Sequence, residues 1–181
     1  MTTMSQRSYW LTAGSLAAIM DVTRIGHFGE AGGLPDASWA VFFLGGLWLR
    51  DSRLFPGFFA LGWVADMIAF SLGTPTNCYS IAYLFLIPAY GSLWMAGRLA
   101  SERLPQQVAA VVLGAASAFF FANLGMLWLA PSEQGLSTMQ FASAVAGYFP
   151  GYLLTMSVYV AVGLLATQLL GKLRTSLRAS E

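Results

Sequence analysis

Cys78 is the side chain in this sequence best suited to chemistry, and it is the only cysteine among 181 residues. It lies in the polar stretch 74–80, Thr-Pro-Thr-Asn-Cys-Tyr-Ser, which separates two long apolar runs. A thiolate is a soft donor that suits a soft or borderline transition metal. One protein ligand cannot hold a bare ion tightly, but it can complete the coordination of a metal already held in a macrocycle. The residue type therefore favours a metal tetrapyrrole, although free cysteine is more commonly a small buried apolar residue.

Further polar and aromatic residues could line a cavity around that thiol. A carboxylate at membrane depth needs a partner or a wet cavity, so Asp66 is either a cavity-lining acceptor or paired with Arg24 or His27. Asp21 can pair with Arg24 three residues later on one helix face. Tyrosines four residues apart share a helix face and could form cavity walls. The candidate ligand-binding residues are Arg24, His27, Asp66, Asn77, Tyr79, Tyr83, Tyr148 and Tyr152.

The composition indicates a membrane protein. The chain is 57% hydrophobic and 9% charged, whereas soluble domains carry roughly 25% charged residues. A net charge of +1 without a basic block gives no sign of nucleic-acid binding. A single cysteine excludes an intramolecular disulfide, a cysteine-only metal cluster and a thiol relay. No linker or soluble domain is evident, so we expect residues 1–181 to form one integral membrane domain in the lipid bilayer.

Six apolar segments reach, or nearly reach, the length of about 20 residues that a membrane helix needs. Turn-forming residues separate them. The predicted segments are Tyr9–Gly26, Ser38–Leu49, Leu54–Leu72, Ser80–Gly97, Gln107–Ala130 and Ser143–Leu170. The second is short unless it begins within the preceding loop. The first follows a basic residue as a signal peptide does, but no small-x-small cleavage site follows it, so we expect it to be retained.

The basic residues predict the orientation of this all-α bundle, because cytoplasmic loops are enriched in Lys and Arg. With the N-terminus inside, eight of the nine basic residues lie in cytoplasmic segments and only Arg24 lies towards the outside. Both termini are then cytoplasmic, and the outward loops are 28–37, 73–79 and 131–140. The polar candidates around Asp66 and the loop that carries the cysteine fall on the same outer side.

Small residues at a spacing of four, Ala13 and Ala17, occur in the first predicted helix. This spacing lets two helices approach closely. Packing within the chain is the commoner result of such a pattern, and docking of a partner membrane protein is the functional alternative.

Taken together, these features resemble the substrate-binding S-components of energy-coupling factor (ECF) transporters, which are bundles of six short helices with ligand-facing outer loops. More narrowly, Asp21–Phe28 (DVTRIGHF), Pro75–Tyr79 (PTNCY) and Asp66 resemble the BtuM family of cobalamin transport proteins. The resemblance implies that cobalamin is bound from the periplasmic side of a bacterial inner membrane, with Cys78 as an axial ligand of the corrin cobalt. It also implies removal of the cyano ligand from cyanocobalamin. Docking of an ECF coupling subunit and its ATPases would use the small residues of the first helix.

The residues themselves suit such a ligand, because cobalamin offers a planar corrin, many amides and a cobalt that accepts an axial donor. The thiol must lose its proton to bind; a free cysteine has a pKa of about 8.5, which a nearby metal lowers. Two other functions remain open: an S-component for a different vitamin, and a membrane enzyme with Cys78 as nucleophile and His27 as base. A haem protein is a weaker variant. No nucleotide-binding motif appears, so any ATP hydrolysis needs another chain.

Overall fold

The computed structural model describes residues 5–27, 34–72, 81–101, 103–129 and 137–179. These ranges are almost entirely helical and contain no strand, which confirms the prediction of an all-α fold. The helices, numbered in chain order, are α1 Gln6–His27, α2 Ser38–Trp48, α3 Phe55–Ser71, α4 Leu86–Leu99, α5 Leu104–Leu129, α6 Thr138–Ala146 and α7 Phe149–Ala179. A short 3₁₀ helix, Ile81–Phe85, leads directly into α4.

The sixth predicted segment differs from the structure, because two helices, α6 and α7, take its place. The break falls at residues 147–148. Pro150 lies in the first turn of α7, where it has no N–H to donate to the carbonyl group of Ala146, so one continuous helix is disfavoured here. α6 also begins earlier than predicted, at a capping box in which Ser137 and Gln140 bond to each other's backbone N–H groups.

α2 lies at the centre of the fold and contacts α1, α3, α4, α5 and α7. Eight of its 11 residues are buried. Its closest neighbour is α4, and glycines make that approach possible. A Cβ atom added to Gly46 would overlap the backbone carbonyl of Trp94, and one added to Gly97 would overlap that of Phe43. The two backbones therefore touch, as small residues allow between membrane helices.

Aromatic side chains fill the space between α2, α3 and α4. Phe42 stacks on the ring of Tyr90, with centroids 4.3 Å apart and planes inclined by 4°. Trp94 packs edge-on against Phe42 and tilted against Phe58. Stacked and edge-to-face arrangements both suit the charge distribution of aromatic rings. This packing orients Tyr90 and so fixes where its hydroxyl group lies.

Two stretches of the described chain are long and apolar enough to cross a membrane, Leu104–Trp128 and Thr138–Leu173. α2 and α3 are apolar but shorter. Large apolar side chains project outward from the long stretches, among them Leu113 at 67% exposure and Leu154 at 66%. An extended apolar surface of this kind indicates contact with lipid or a partner rather than with water. The described helices are consistent with a membrane bundle.

Candidate functional site

A buried ion pair between Arg24 and Asp66 forms the centre of the candidate site. Nε of Arg24 donates to Oδ1 of Asp66 at 2.6 Å, and Nη2 donates to Oδ2 at 2.8 Å. The two side chains are only 7% and 3% exposed. A bidentate pair of this geometry is among the strongest that proteins form, and charges this deeply buried require such pairing. It ties α1 to α3.

The third nitrogen of the Arg24 guanidinium extends the network to α2 and α4. Nη1 donates to the hydroxyl groups of Tyr90 at 2.8 Å and Ser38 at 2.9 Å. It also lies 3.4 Å from Oδ2 of Asp36. The planar guanidinium has enough donors in a fixed fork to hold several acceptors at once. One arginine on α1 therefore bonds to groups from the next three helices, α2, α3 and α4, or their immediate ends.

Asp36 and Ser38 shape the start of α2 within this network. Oδ1 of Asp36 accepts from the Ser38 backbone N–H at 2.9 Å and from its hydroxyl group at 2.6 Å. Such side-chain acceptors satisfy backbone donors that a helix start leaves without intrahelical partners. The backbone N–H of Ala37 bonds instead to Oγ1 of Thr23 on α1, at 3.1 Å. The entry into α2 is thus fixed to α1 by side-chain bonds.

Tyr83 joins the ion pair from the 3₁₀ helix. Its hydroxyl group donates to Oδ2 of Asp66, and its side chain is half-buried. Asp66 consequently accepts bonds from both Arg24 and Tyr83, with one oxygen shared between them. Three of the residues predicted from sequence, Arg24, Asp66 and Tyr83, are brought together here.

The phenol of Tyr83 provides a direct test of that contact. We expect Tyr83→Phe to lower the free energy of unfolding by roughly 1.5–3 kcal/mol, as for a hydrogen bond to a charged group. Tyr159→Phe is the matched control, because its hydroxyl group donates to the neutral carbonyl of Pro35 at 2.8 Å. That variant should lose only about 0.5–1.5 kcal/mol. Thermal unfolding in detergent measures both, and equal losses would contradict the role assigned to Tyr83.

Asp21 behaves differently from the sequence prediction. The carboxylates bonded to Arg24 are those of Asp36 and Asp66. Oδ1 of Asp21 is buried, without a hydrogen-bond partner among the described residues. The reason is that the Arg24 side chain extends across the bundle towards α3 and α4 and not along its own helix.

The network lies at one end of the bundle. It contains the C-terminal parts of α1 and α3 and the N-terminal parts of α2 and α4, and this is the end predicted to face outward. The predicted site residues Asn77, Cys78 and Tyr79 lie outside the described residues, and so does the side chain of His27. α3 ends at Ser71 and the 3₁₀ helix begins at Ile81. The chain therefore leaves the helices for the cysteine stretch, and returns from it, at the end of the bundle that holds the network.

Tyr148 and Tyr152 lie apart from the ion pair. Tyr152 stacks on Trp39 of α2, with ring centroids 4.9 Å apart, and also contacts Phe119 of α5. Tyr148 belongs to the break between α6 and α7 and is 67% exposed. The sequence places these two tyrosines on one face, and the structure gives one of them a packing contact with α2 and α5.

The small residues of α1 divide between the core and the surface. Ala13 is buried and Ala17 packs, half-buried, against the same core. Gly14 and Ala18 face outward, and a Cβ atom on Gly14 would meet no other atom. The pair predicted for docking, Ala13 and Ala17, therefore packs within the chain. Gly14 and Ala18, each one residue later in the sequence, are on the surface.

Sequence reasoning did not select Asp36, Ser38 or Tyr90 for this site. Asp36 and Ser38 could have been found from the sequence, because polar residues of these types just before an apolar run are typical of a helix start. Tyr90 lies inside an apolar run and carries no comparable signal. Across the described ranges, no group of three or more His, Cys, Asp or Glu residues could hold a metal ion.

Comparisons with known proteins give no assignment for this site. No protein-family model matches the chain, and no curated protein sequence matches it either. What the chain does must therefore be inferred from its own residues.

Proposed function

We propose that this chain is a multi-pass protein of the bacterial inner membrane that binds cobalamin and takes it up. Six membrane-spanning helices with both termini in the cytoplasm form one domain. Cys78 supplies the thiolate that coordinates the corrin cobalt from the periplasmic side. The supporting observation is the buried network of Arg24, Asp66 and Tyr83. It lies at the end of the bundle from which the chain enters and leaves the cysteine stretch.

The network supports the proposal because a binding site needs fixed supports. Asp66 stands one and a half helical turns before the end of α3, and Tyr83 stands five residues after the cysteine in sequence. Their hydrogen bond holds together the two segments that flank residues 73–80. Binding is stronger when such supports are ordered before the ligand arrives, because less conformational entropy is lost. Asp66 and Arg24 then act as supports for the pocket, and Tyr83, Asn77 and Tyr79 supply its polar and aromatic wall.

The chemistry of the thiolate accounts for decyanation. Cys78 loses its proton to solvent, and its thiolate forms a cobalt–sulfur bond on one axial face of the corrin, in place of the nitrogen base that occupies that face in free cobalamin. The strong donor weakens the cobalt–carbon bond on the opposite face. Cyanide departs with the electron pair of that bond, so the exchange needs no oxidant or reductant. No catalytic base beyond solvent is required.

Transport needs an energy source, and the sequence contains no nucleotide-binding motif. An ECF coupling subunit with its ATPases is the partner that this architecture suits. It would meet α1 at the exposed Gly14 and Ala18, since Ala13 is buried in the core of the chain. Close approach of helices at small residues is the physical basis of such docking.

The visible spectrum of the purified protein tests the central claim. We expect wild-type protein with added cobalamin to show a shifted corrin absorbance, because a sulfur ligand binds cobalt on the face opposite the cyano group and the cyanide then leaves. Cys78→Ala should lose that shift, while Ser80→Ala, a substitution in the same stretch, should keep it. Unchanged spectra and affinity in Cys78→Ala would exclude the ligand role. Tight binding of a metal-free vitamin by the wild type would favour the S-component alternative.

A further inference from the structure

The opposite end of the bundle carries a concentration of exposed arginines, which we call the arginine rim. Its members lie at helix ends or in the connections between helices. They are Arg7, Arg50, Arg53, Arg98 and Arg103, and all five are exposed. The carboxylates in the same segments are those of Asp51 and, by sequence, Glu102. This end of the protein therefore carries a net positive charge.

Contacts between the segments bring the arginine rim together. Arg50 donates to the backbone carbonyl of Ala100 at 3.3 Å, which joins the end of α2 to the end of α4. The hydroxyl group of Tyr9 donates to Oδ2 of Asp51 at 3.3 Å, which joins the first turn of α1 to the α2–α3 connection. The rim is thus one surface formed by three parts of the chain.

Large apolar side chains are exposed directly beside the rim. Trp10 in α1 is 58% exposed, Leu99 at the end of α4 is 76% exposed and Leu104 at the start of α5 is 69% exposed. Leu99 and Leu104 are the sequence neighbours of rim arginines. Apolar groups and Trp that adjoin cationic side chains are typical of a helix end at the boundary between hydrocarbon and head groups.

We propose that the arginine rim binds the phosphate groups of anionic phospholipids on the inner face of the membrane. The inference shares the membrane setting of the proposed function but none of its cobalamin chemistry. Guanidinium groups match phosphate oxygens in a bidentate fork. The anionic inner leaflet attracts basic segments close to it. The exposed Trp10, Leu99 and Leu104 favour lipid over an acidic protein, because they would enter the hydrocarbon beneath those head groups.

Retention of lipid by the purified protein tests this proposal. The protein is equilibrated in neutral detergent with equal amounts of phosphatidylglycerol and phosphatidylcholine, and bound lipid is extracted and counted by mass spectrometry. We expect wild-type protein to retain phosphatidylglycerol preferentially. The double variant Arg53→Gln/Arg103→Gln should reduce that preference by roughly thirtyfold, as expected for two basic residues near an anionic surface. These two are chosen because Arg50 also bonds to the carbonyl group of Ala100 and Arg98 to the hydroxyl group of Ser52.

Lys172→Gln is the control, since it removes an exposed positive charge on α7 outside the rim. Lys172 lies on the predicted cytoplasmic side but apart from the rim, so this variant should lower the preference far less than the double variant does. An equal loss would show that overall charge, and not the rim, retains the lipid. Equal retention of both lipids by wild-type protein, or an unchanged preference in the double variant, would overturn the proposal. Salt gives a second measurement that needs no substitution. At about 1 M salt the screening length falls to about 3 Å, so the preference for phosphatidylglycerol should largely disappear. A preference that persists at this salt concentration would also contradict the proposal.

Cobalamin binding is measured on the same samples. Loss of lipid preference with cobalamin binding intact refutes only the lipid proposal. Lipid preference without any cobalamin binding refutes only the proposed function.

Discussion

Arg24→Met is expected to destabilise the protein by about 3–5 kcal/mol, the usual cost of breaking a buried ion pair. The substitution leaves the carboxyl group of Asp66 buried and deprived of two short bonds. It also removes the donor for the hydroxyl groups of Tyr90 and Ser38. Methionine has a similar length and is apolar, so lost packing contributes little to the change. Thermal unfolding in detergent, followed by circular dichroism, measures the loss.

The double variant Arg24→Met/Asp66→Asn separates the charge from the rest of the network. Removing both charges eliminates the uncompensated carboxylate, so part of the stability should return. Arg24→Lys keeps the charge but cannot make the bidentate bond, and its stability should lie between that of the wild type and that of Arg24→Met. A loss of less than about 1 kcal/mol in Arg24→Met, or a double variant no more stable than the single one, would refute a buried, structurally important pair.

Gly97→Ala is expected to cost about 3 kcal/mol or more, at the upper end of the range for overpacked interiors. The added methyl group would overlap the Phe43 carbonyl, which belongs to the backbone of α2 and cannot rotate away. The helices must separate, and the stacked rings of Phe42 and Tyr90 between them must then shift. Unfolding temperature in detergent and the yield of monodisperse protein both report this effect.

Gly91→Ala in the same helix is the matched control. The methyl group there would meet only a ring carbon of Phe55, at 3.9 Å, which is ordinary van der Waals contact. Because alanine favours helix by about 0.8–1 kcal/mol over glycine, this variant should be as stable as the wild type or slightly more stable. If Gly91→Ala and Gly97→Ala have the same stability, the close approach of α2 and α4 is not the reason why alanine is unfavourable at position 97.

Apolar runs and turn residues are sufficient to predict most of the helices. α1, α3 and α5 follow from long apolar segments bounded by polar or turn residues, and their observed ends lie within a few residues of prediction. The last predicted segment was wrong as one helix because its apolar pattern continues through Pro150. The backbone bond that the proline removes is a local effect, which hydropathy over a long window does not detect.

Contacts between helices are harder to predict from the sequence than the positions of the helices. The cost of burying Asp66 predicts a cationic partner or a wet cavity, and Arg24 was one of two candidate partners. The choice depends on how α1 packs against α3, which no local pattern encodes. For the same reason Tyr90 was not selected, since its hydroxyl group gains a role only when α4 faces Arg24. The stretch with Cys78 stays a prediction.

The length of α2 has a consequence for how the protein is made. Its 11 residues rise only about 16 Å, roughly half the thickness of the hydrocarbon layer. Such a segment cannot cross a bilayer alone, and its main partner, α4, is synthesised later. If the proposed membrane topology holds, α2 completes its insertion only when α4 arrives. A chain truncated before α4 should leave α2 accessible to water-soluble labels that it escapes in the full-length protein.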